Sequence, residues 1–333
     1  WVFFMIELTT AAVYYYTWDR IDDKLHLFIG WVYAVMSLMT LVIINGILTF
    51  MLTPGQPWLD VAGTGQEASR FWAAFFNPTY FPSLVIRIVV CIALAGVWAL
   101  VTIARLDPDE YGATRTKLLR FSANWLMPMF LLMPLLTLWY YAMIPQQAKD
   151  LASLGMTTIG SGAFTQITRI ALVSIMTTAT IAAVVYFFTQ KAPRDFTVGH
   201  AGAVLFLAVL ATATTEYARE AIRKPWVVGE HMYSNGVRKS EVAKFNQEGY
   251  LTHSVWKPAS MDSVAVGRAM FRGQCMACHT ETGYRSMKGL LGERDAKAID
   301  NVVKMLREAG KPDNPYHKYM PPIVGTEAEV AAL

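Results

Sequence analysis

The chain has 333 residues, of which 54% are hydrophobic and only 16% charged. That balance excludes an ordinary soluble enzyme and points to helices surrounded by lipid. Net charge is +4 at neutral pH; no nucleic-acid partner is expected, and in a membrane protein the sidedness of charge says more than its sum.

Six apolar stretches follow one another at about 1–17, 25–52, 84–104, 121–144, 165–189 and 199–222. All but the first can cover a hydrocarbon core, which takes roughly 20 helical residues. The first starts abruptly at Trp1, with no initiator Met, signal-peptide pattern or charged flank. Upstream sequence, or a partner chain, is expected to complete it. Within it, Glu7 stands amid Phe3, Phe4, Met5 and Ile6. An acid inside a span is a functional candidate by default. His26 opens the second stretch, where a structural hydrogen bond is its expected role.

Loop charges orient the bundle. One set of loops holds Arg20, Lys24, Arg105, Arg115, Lys117, Arg120, Lys191 and Arg194, whereas the alternate set holds only Arg70 and Lys149. The first set is expected on the cytoplasmic side. With six spans, Trp1 and everything after residue 222 then lie outside. Residues 223–261 read as a polar linker, with turn signals at Ser234-Asn235-Gly236 and Lys257-Pro258 and two histidines, His231 and His253.

Beyond the linker comes Cys275-Met276-Ala277-Cys278-His279. Cys-x-x-Cys-His is the spacing of c-type haem attachment. Two thiols reach the haem vinyl groups and the adjacent imidazole supplies an axial nitrogen. A zinc site would need a second cluster of ligands, but the third cysteine, Cys91, lies far away in an apolar run. A thioredoxin-like pair would sit near a βαβ pattern, and none is present. Haem c is attached outside the cytoplasm, which agrees with the side that the loop charges give. Met320, in Lys318-Tyr319-Met320-Pro321-Pro322, is the expected sixth ligand, with His317 as its competitor. Thr326-Glu327-Ala328-Glu329 reads as a capping box opening a last helix. Residues 262–333 together resemble a small class I cytochrome c.

The membrane part resembles subunit I of the cytochrome bd quinol oxidases. The resemblance rests on Trp18-Asp19-Arg20 followed by His26, Trp31 and Ser37, and on Glu7 eleven residues before the Trp. Phe50-Met51-Leu52-Thr53-Pro54, Phe76-Asn77-Pro78, Thr168-Arg169-Ile170 and Glu220-Ala221-Ile222-Arg223-Lys224-Pro225-Trp226 continue it in the family's order. It implies that Glu220 ligates a high-spin haem b, that Arg223 lies beside that haem and its propionates, and that Glu7 belongs to a proton route. From the residues alone, Glu220 could equally be a snorkelling acid paired with Arg223 or Arg219.

The departures matter as much. The family's low-spin haem is held by a His and a Met whose positions here are Ile86 and Ala171. Its long quinol-binding loop is reduced to about 145–164. The low-spin haem and the quinol site are therefore expected to be missing.

The sequence thus predicts an all-α protein: a polytopic bundle of about six spans over 1–222, the linker 223–261, and a cytochrome c domain over 262–333. It is expected in a bacterial cytoplasmic membrane, with the cytochrome domain on the outer face. The expected cofactors are covalent haem c and a haem b. The expected partners are other membrane subunits of a respiratory complex, a cytochrome donor or acceptor, and the lipid bilayer. The expected function is electron transfer from an external cytochrome through haem c to a haem at Glu220, with oxygen reduction as a terminal reaction. The alternative is a membrane anchor for the cytochrome with no haem b of its own. A transporter fits poorly, because the few acids in the spans follow the oxidase pattern.

Overall fold

The computed structural model describes residues 1–157 and 165–333. The part of the expected loop 145–164 beyond Thr157 lies outside the described residues.

The first helix, α1 (Val2–Tyr16), spans 15 residues. At 1.5 Å per residue it falls short of a bilayer core of about 30 Å. Among the described residues, five longer helices are apolar enough to cross: α2 (Asp23–Leu52), α3 (Tyr80–Ile103), α4 (Pro108–Met143), α6 (Thr165–Tyr186, running on in a wider turn to Lys191) and α7 (Val198–Ala221). A shorter helix, α5 (Gln146–Thr157), stands between α4 and α6. The six apolar stretches all become helices, the first of them short. The spans bury little of themselves within the chain and leave Trp31, Ile47, Leu131, Ile175 and Phe206 exposed. Such surface is solvated by lipid tails.

One expected loop is absent. Residues 108–120 are the first turns of α4, which begins at Pro108 with Asp109 and Glu110 in its first turn. Proline is tolerated at a helix start and acids favour its positive end. Arg115, expected as a loop charge, is 3% exposed. Its Nη1 donates to the Pro193 carbonyl at 3.2 Å and its Nη2 to that of Phe196. The cation closes the turn between α6 and α7 by satisfying backbone acceptors that lipid could not.

By internal contacts the chain forms two units: 1–57 with 70–143 and 184–202, and 58–69 with 144–183 and 203–333. In the first, α1 pairs with α2, and α3 with α4. A Cβ on Gly96 would run into Leu126 of α4, so glycine permits the close approach. A buried polar network joins the end of α2 to the start of α3. Asn77 Nδ2 donates to Thr49 Oγ1 at 2.9 Å, and Asn77 Oδ1 accepts from Thr53 Oγ1 at 3.0 Å. Nearby, Asn45 donates to the Tyr80 carbonyl and accepts from Ser83. This is a physical role for the Thr-Pro and Asn-Pro signatures: an amide without water must find partners in the neighbouring helix.

In the second unit, α7 leads into a small hairpin, β1 (Trp226–Val228) with β2 (Met232–Tyr233), then α8 (Val242–Glu248), α9 (Ser263–Gln274), α10 (Ala296–Arg307) and α11 (Glu327–Ala332). Met270 and Val324 are fully buried, with Leu306, Ile323 and Val330 around them. Val237, Tyr250 and Leu251, from the stretch expected as a linker, belong to the same core. The expected capping box forms at Thr326 and Glu329. Glu329 also accepts from the backbone of Tyr250 and Leu251 at 2.8 and 2.9 Å, tying residues 250–251 to α11. At Gly267 any Cβ would strike the Ala332 carbonyl, so glycine lets α9 and α11 touch backbone to backbone.

Candidate functional site

Helix α9 ends at Gln274, and the attachment residues wind on from it in one turn. The amides of Cys278 and His279 both donate to the Cys275 carbonyl, at 3.1 and 2.9 Å. Both cysteines are free and half-buried. Burial pushes the Cys275 thiol up to about 12, and the neighbouring Cys278 adds to the effect.

His279 Nδ1 lies 3.0 Å from the Arg285 carbonyl. A backbone acceptor there favours the tautomer with its proton on Nδ1, which leaves the Nε2 lone pair free to bind a metal. Arg285 adopts φ +46° to present that carbonyl, an uncommon conformation for a side chain other than glycine's. The loop between is closed by Thr280, whose Oγ1 donates to the Tyr284 carbonyl at 2.8 Å and accepts from the Gly283 amide at 2.9 Å.

Met320 is half-buried and packs against the same core. Gln274, 5% exposed, holds its chain segment in place: the side-chain amide donates to the Val324 carbonyl at 2.7 Å and accepts from the Val324 amide at 2.8 Å. The residue before Cys275 is thus fixed to the strand-like segment four residues past Met320. His317 Nδ1 lies 3.2 Å from the Ala309 carbonyl, the same backbone contact that His279 makes, so this bond does not separate His317 from Met320 as the sixth ligand. No group of three or more His, Cys, Asp or Glu gathers as a metal cage among the described residues. A porphyrin site needs none, because the macrocycle supplies four of the donors. Two free thiols, an imidazole oriented by the backbone and a thioether on the core edge are a donor set that fits haem c.

In the same unit, Glu220 ends α7. Its Oε1 accepts from Arg223 Nη2 at 2.5 Å, while Arg219 turns instead to Glu216 at 2.8 Å. Arg223 is 8% exposed, and its Nη1 donates to the Val227 carbonyl at 2.7 Å. Arg223 Nε and Arg219 Nη1 are buried donors without a hydrogen bond. Two orphaned guanidinium donors beside a carboxylate fit an anionic group such as a haem propionate. Helix α5 supports this turn through Gln147, which donates to the Lys224 carbonyl and accepts from the Trp226 indole at 3.0 Å. Asp150 of α5 faces Lys318 at 3.8 Å, two residues before Met320.

In the first unit, Glu7 Oε1 accepts from Ser37 Oγ at 2.8 Å, and Oε2 is buried with no partner. The hydrogen bond expected of His26 does not form. Both ring nitrogens are buried without a partner; the ring stacks on Tyr14 at 4.1 Å and meets Trp18 edge-on at 4.9 Å. Aromatic packing holds it instead. Ile86 lies in α3 and Ala171 in α6, and neither side chain offers a donor to iron. Gln274, Gln147 and Lys224 are not legible as site residues, since their contacts lie 50, 77 and 54 residues away in sequence; Arg285 is near His279 but acts through its backbone carbonyl, which no side-chain pattern signals.

Residues 1–152, somewhat under half of the chain, match the model of the family cytochrome bd terminal oxidase subunit I. That family works in membrane respiratory electron transfer and binds haem b. No curated protein matches the chain. Five helices long and apolar enough to cross a membrane among the described residues, together with this match, make the chain a multi-pass membrane protein.

Proposed function

We propose that this chain is a membrane electron-transfer subunit of a bd-like respiratory complex that takes electrons in through a covalent haem c. The single observation that carries the reading is the backbone-oriented His279 directly after two free cysteines. Cys275 and Cys278 would hold the haem through their sulfurs, each S–H adding across a vinyl group, and His279 Nε2 and Met320 Sδ would be the protein's donors to its iron. When bound, the haem supplies reversible one-electron transfer at a potential that the thioether raises.

Residues 262–333 form the cytochrome domain on the outer face, and 1–222 the membrane part. Glu220 ligates a haem b at the outer end of α7, and Arg223 and Arg219 neutralise its propionates with their unpartnered donors. Glu7 takes part in moving protons within the first unit. With Ile86 and Ala171 at the family's ligand positions, quinol is no longer the donor; an external cytochrome is. Oxygen reduction is the terminal reaction that the family match suggests.

A second reading has its own observation. The 2.5 Å pair between Glu220 and Arg223 already satisfies one carboxylate oxygen, as it would in a purely structural helix end. The chain would then anchor and dock a cytochrome c with no haem b of its own. A pyridine haemochrome spectrum of the purified complex separates the readings. Haem c together with haem b supports the first, haem c alone the second. The absence of covalent haem defeats both.

A further inference from the structure

The Lys224 ammonium lies 3.4 Å from Cys278 Sγ. Sulfur is a weak acceptor, so the contact gains little as a hydrogen bond. What lysine brings to that place is a fixed charge. Its backbone is held on every side: Gln147 donates to its carbonyl at 3.3 Å, Trp226 binds the same glutamine, and Arg223 just before it is anchored by Glu220 and the Val227 carbonyl. The same helix end approaches the attachment loop again. Tyr217 Oη stands 3.5 Å from both Tyr284 Oη and Arg285 Nη2.

We propose that Lys224 is an electrostatic tuning residue for haem c, its charge at the Cys278 thioether raising the midpoint potential of the iron. The inference rests on the haem c reading above. The sulfur of Cys278 would be bonded directly to the macrocycle. A positive charge at that edge disfavours the additional positive charge of Fe(III) more than it disturbs Fe(II). A half-buried setting strengthens such an interaction relative to open water. The charge stands four residues past Glu220, on the turn that joins the candidate membrane-haem carboxylate to the attachment loop. It therefore acts where electrons would leave the cytochrome domain.

The test uses the intact complex with the full chain. Haem content is measured first by pyridine haemochrome, and then the haem c midpoint is determined by optical redox titration for the wild type and for Lys224→Arg, Lys224→Met, Lys224→Gln and Lys224→Glu. The expected order is wild type close to Lys224→Arg, lower for the Met and Gln variants, and lowest for Lys224→Glu. The far-red absorbance of the axial ligand set should stay the same throughout. Lys224→Met preserves the aliphatic stem, so a folding failure of one neutral variant leaves the other to decide. Midpoints that do not follow the side-chain charge overturn the proposal while the haem c reading stands. Absence of covalent haem from the wild-type complex overturns both.

Discussion

The Gln274 side chain grips Val324 by both ends of its amide, at 2.7 and 2.8 Å, across 50 residues of sequence. One buried residue thereby fixes the spatial relation between the attachment turn and the segment that carries Met320. Glutamine suits the task because its amide offers a donor and an acceptor side by side, matching the backbone N–H and C=O of one residue in an extended segment.

Gln274→Leu should therefore do more than remove two hydrogen bonds. It would leave the Val324 amide and carbonyl buried without partners, at a cost of roughly 1–3 kcal/mol for each unsatisfied group. Denaturant unfolding followed at the haem c Soret band should show the lower midpoint. The far-red band of iron–thioether ligation should also fade at a lower temperature than in the wild type. Wild-type stability in this variant would show that the clamp is incidental.

Met320→Ala should abolish the weak far-red absorbance of Fe(III)–S ligation and lower the haem c potential, since a soft thioether favours Fe(II). His317→Ala should leave that band in place, because the band depends on the Met320 thioether. The opposite pattern in the two variants would transfer the sixth ligand to His317.

The elements that could be read from the sequence are those whose signal is local. An apolar run of some 20 residues has few alternatives to a spanning helix, and Cys275-Met276-Ala277-Cys278-His279 closes as one turn on the Cys275 carbonyl. The capping box at Thr326 and Glu329 is likewise contained in four residues. What escaped depends on contacts far apart in sequence. Lys224 and Cys278 are 54 residues apart. Arg115 reads as a cytoplasmic loop charge, but it is a buried clamp on the carbonyls of Pro193 and Phe196. Tyr250 and Leu251 lie in a polar stretch, yet their backbone amides are bound by Glu329 and their side chains enter the core around Met270 and Val324.

His231 gives the second unit a pH dependence. Burial, with Arg238 assisting, holds its imidazole below the ordinary value of 6.5, while Glu67 and Glu241 pull the other way. The ring also packs edge-on to Trp58 at 5.1 Å. The folded form thus takes up a proton less readily than the unfolded chain. Stability is fully present above the unfolded value and is lost as pH falls from 6.5 toward the lowered folded value. Thermal unfolding between about pH 7 and about pH 5 should show this loss, and His231→Gln should flatten the slope. An equal slope in the variant would assign the effect to other groups.

Glu7→Gln keeps an oxygen for Ser37 to donate to and removes only the ionisable proton. Its other oxygen, buried with no partner, is where a proton carrier would interact. In the intact complex the variant should slow turnover with a cytochrome donor while leaving haem content and the haem c spectrum as they are. Full turnover would remove Glu7 from any proton route and reduce it to a helix–helix hydrogen bond.

The Glu220–Arg223 pair decides between catalyst and anchor. If the carboxylate ligates haem b, its weak field predicts a high-spin iron, and Glu220→Gln should perturb or abolish a high-spin b signal in the intact complex. Arg223→Met should then weaken retention of the same haem, because it deletes the buried donor at Nε along with the ion pair. If the pair is only structural, both variants leave every haem signal unchanged. Each would instead lower stability by about 1–3 kcal/mol, Glu220→Gln by leaving Arg223 buried with its charge uncompensated. Covalent haem c content should be retained in either case, since the Cys275–His279 turn is built on Gln274, Val324 and Arg285, while its midpoint reports any shift of the Lys224 that this pair helps to hold. Optical and electron paramagnetic spectra of the two variants, recorded beside their unfolding curves, therefore separate a ligand that happens to be paired from a pair that happens to lie where the family places its ligand.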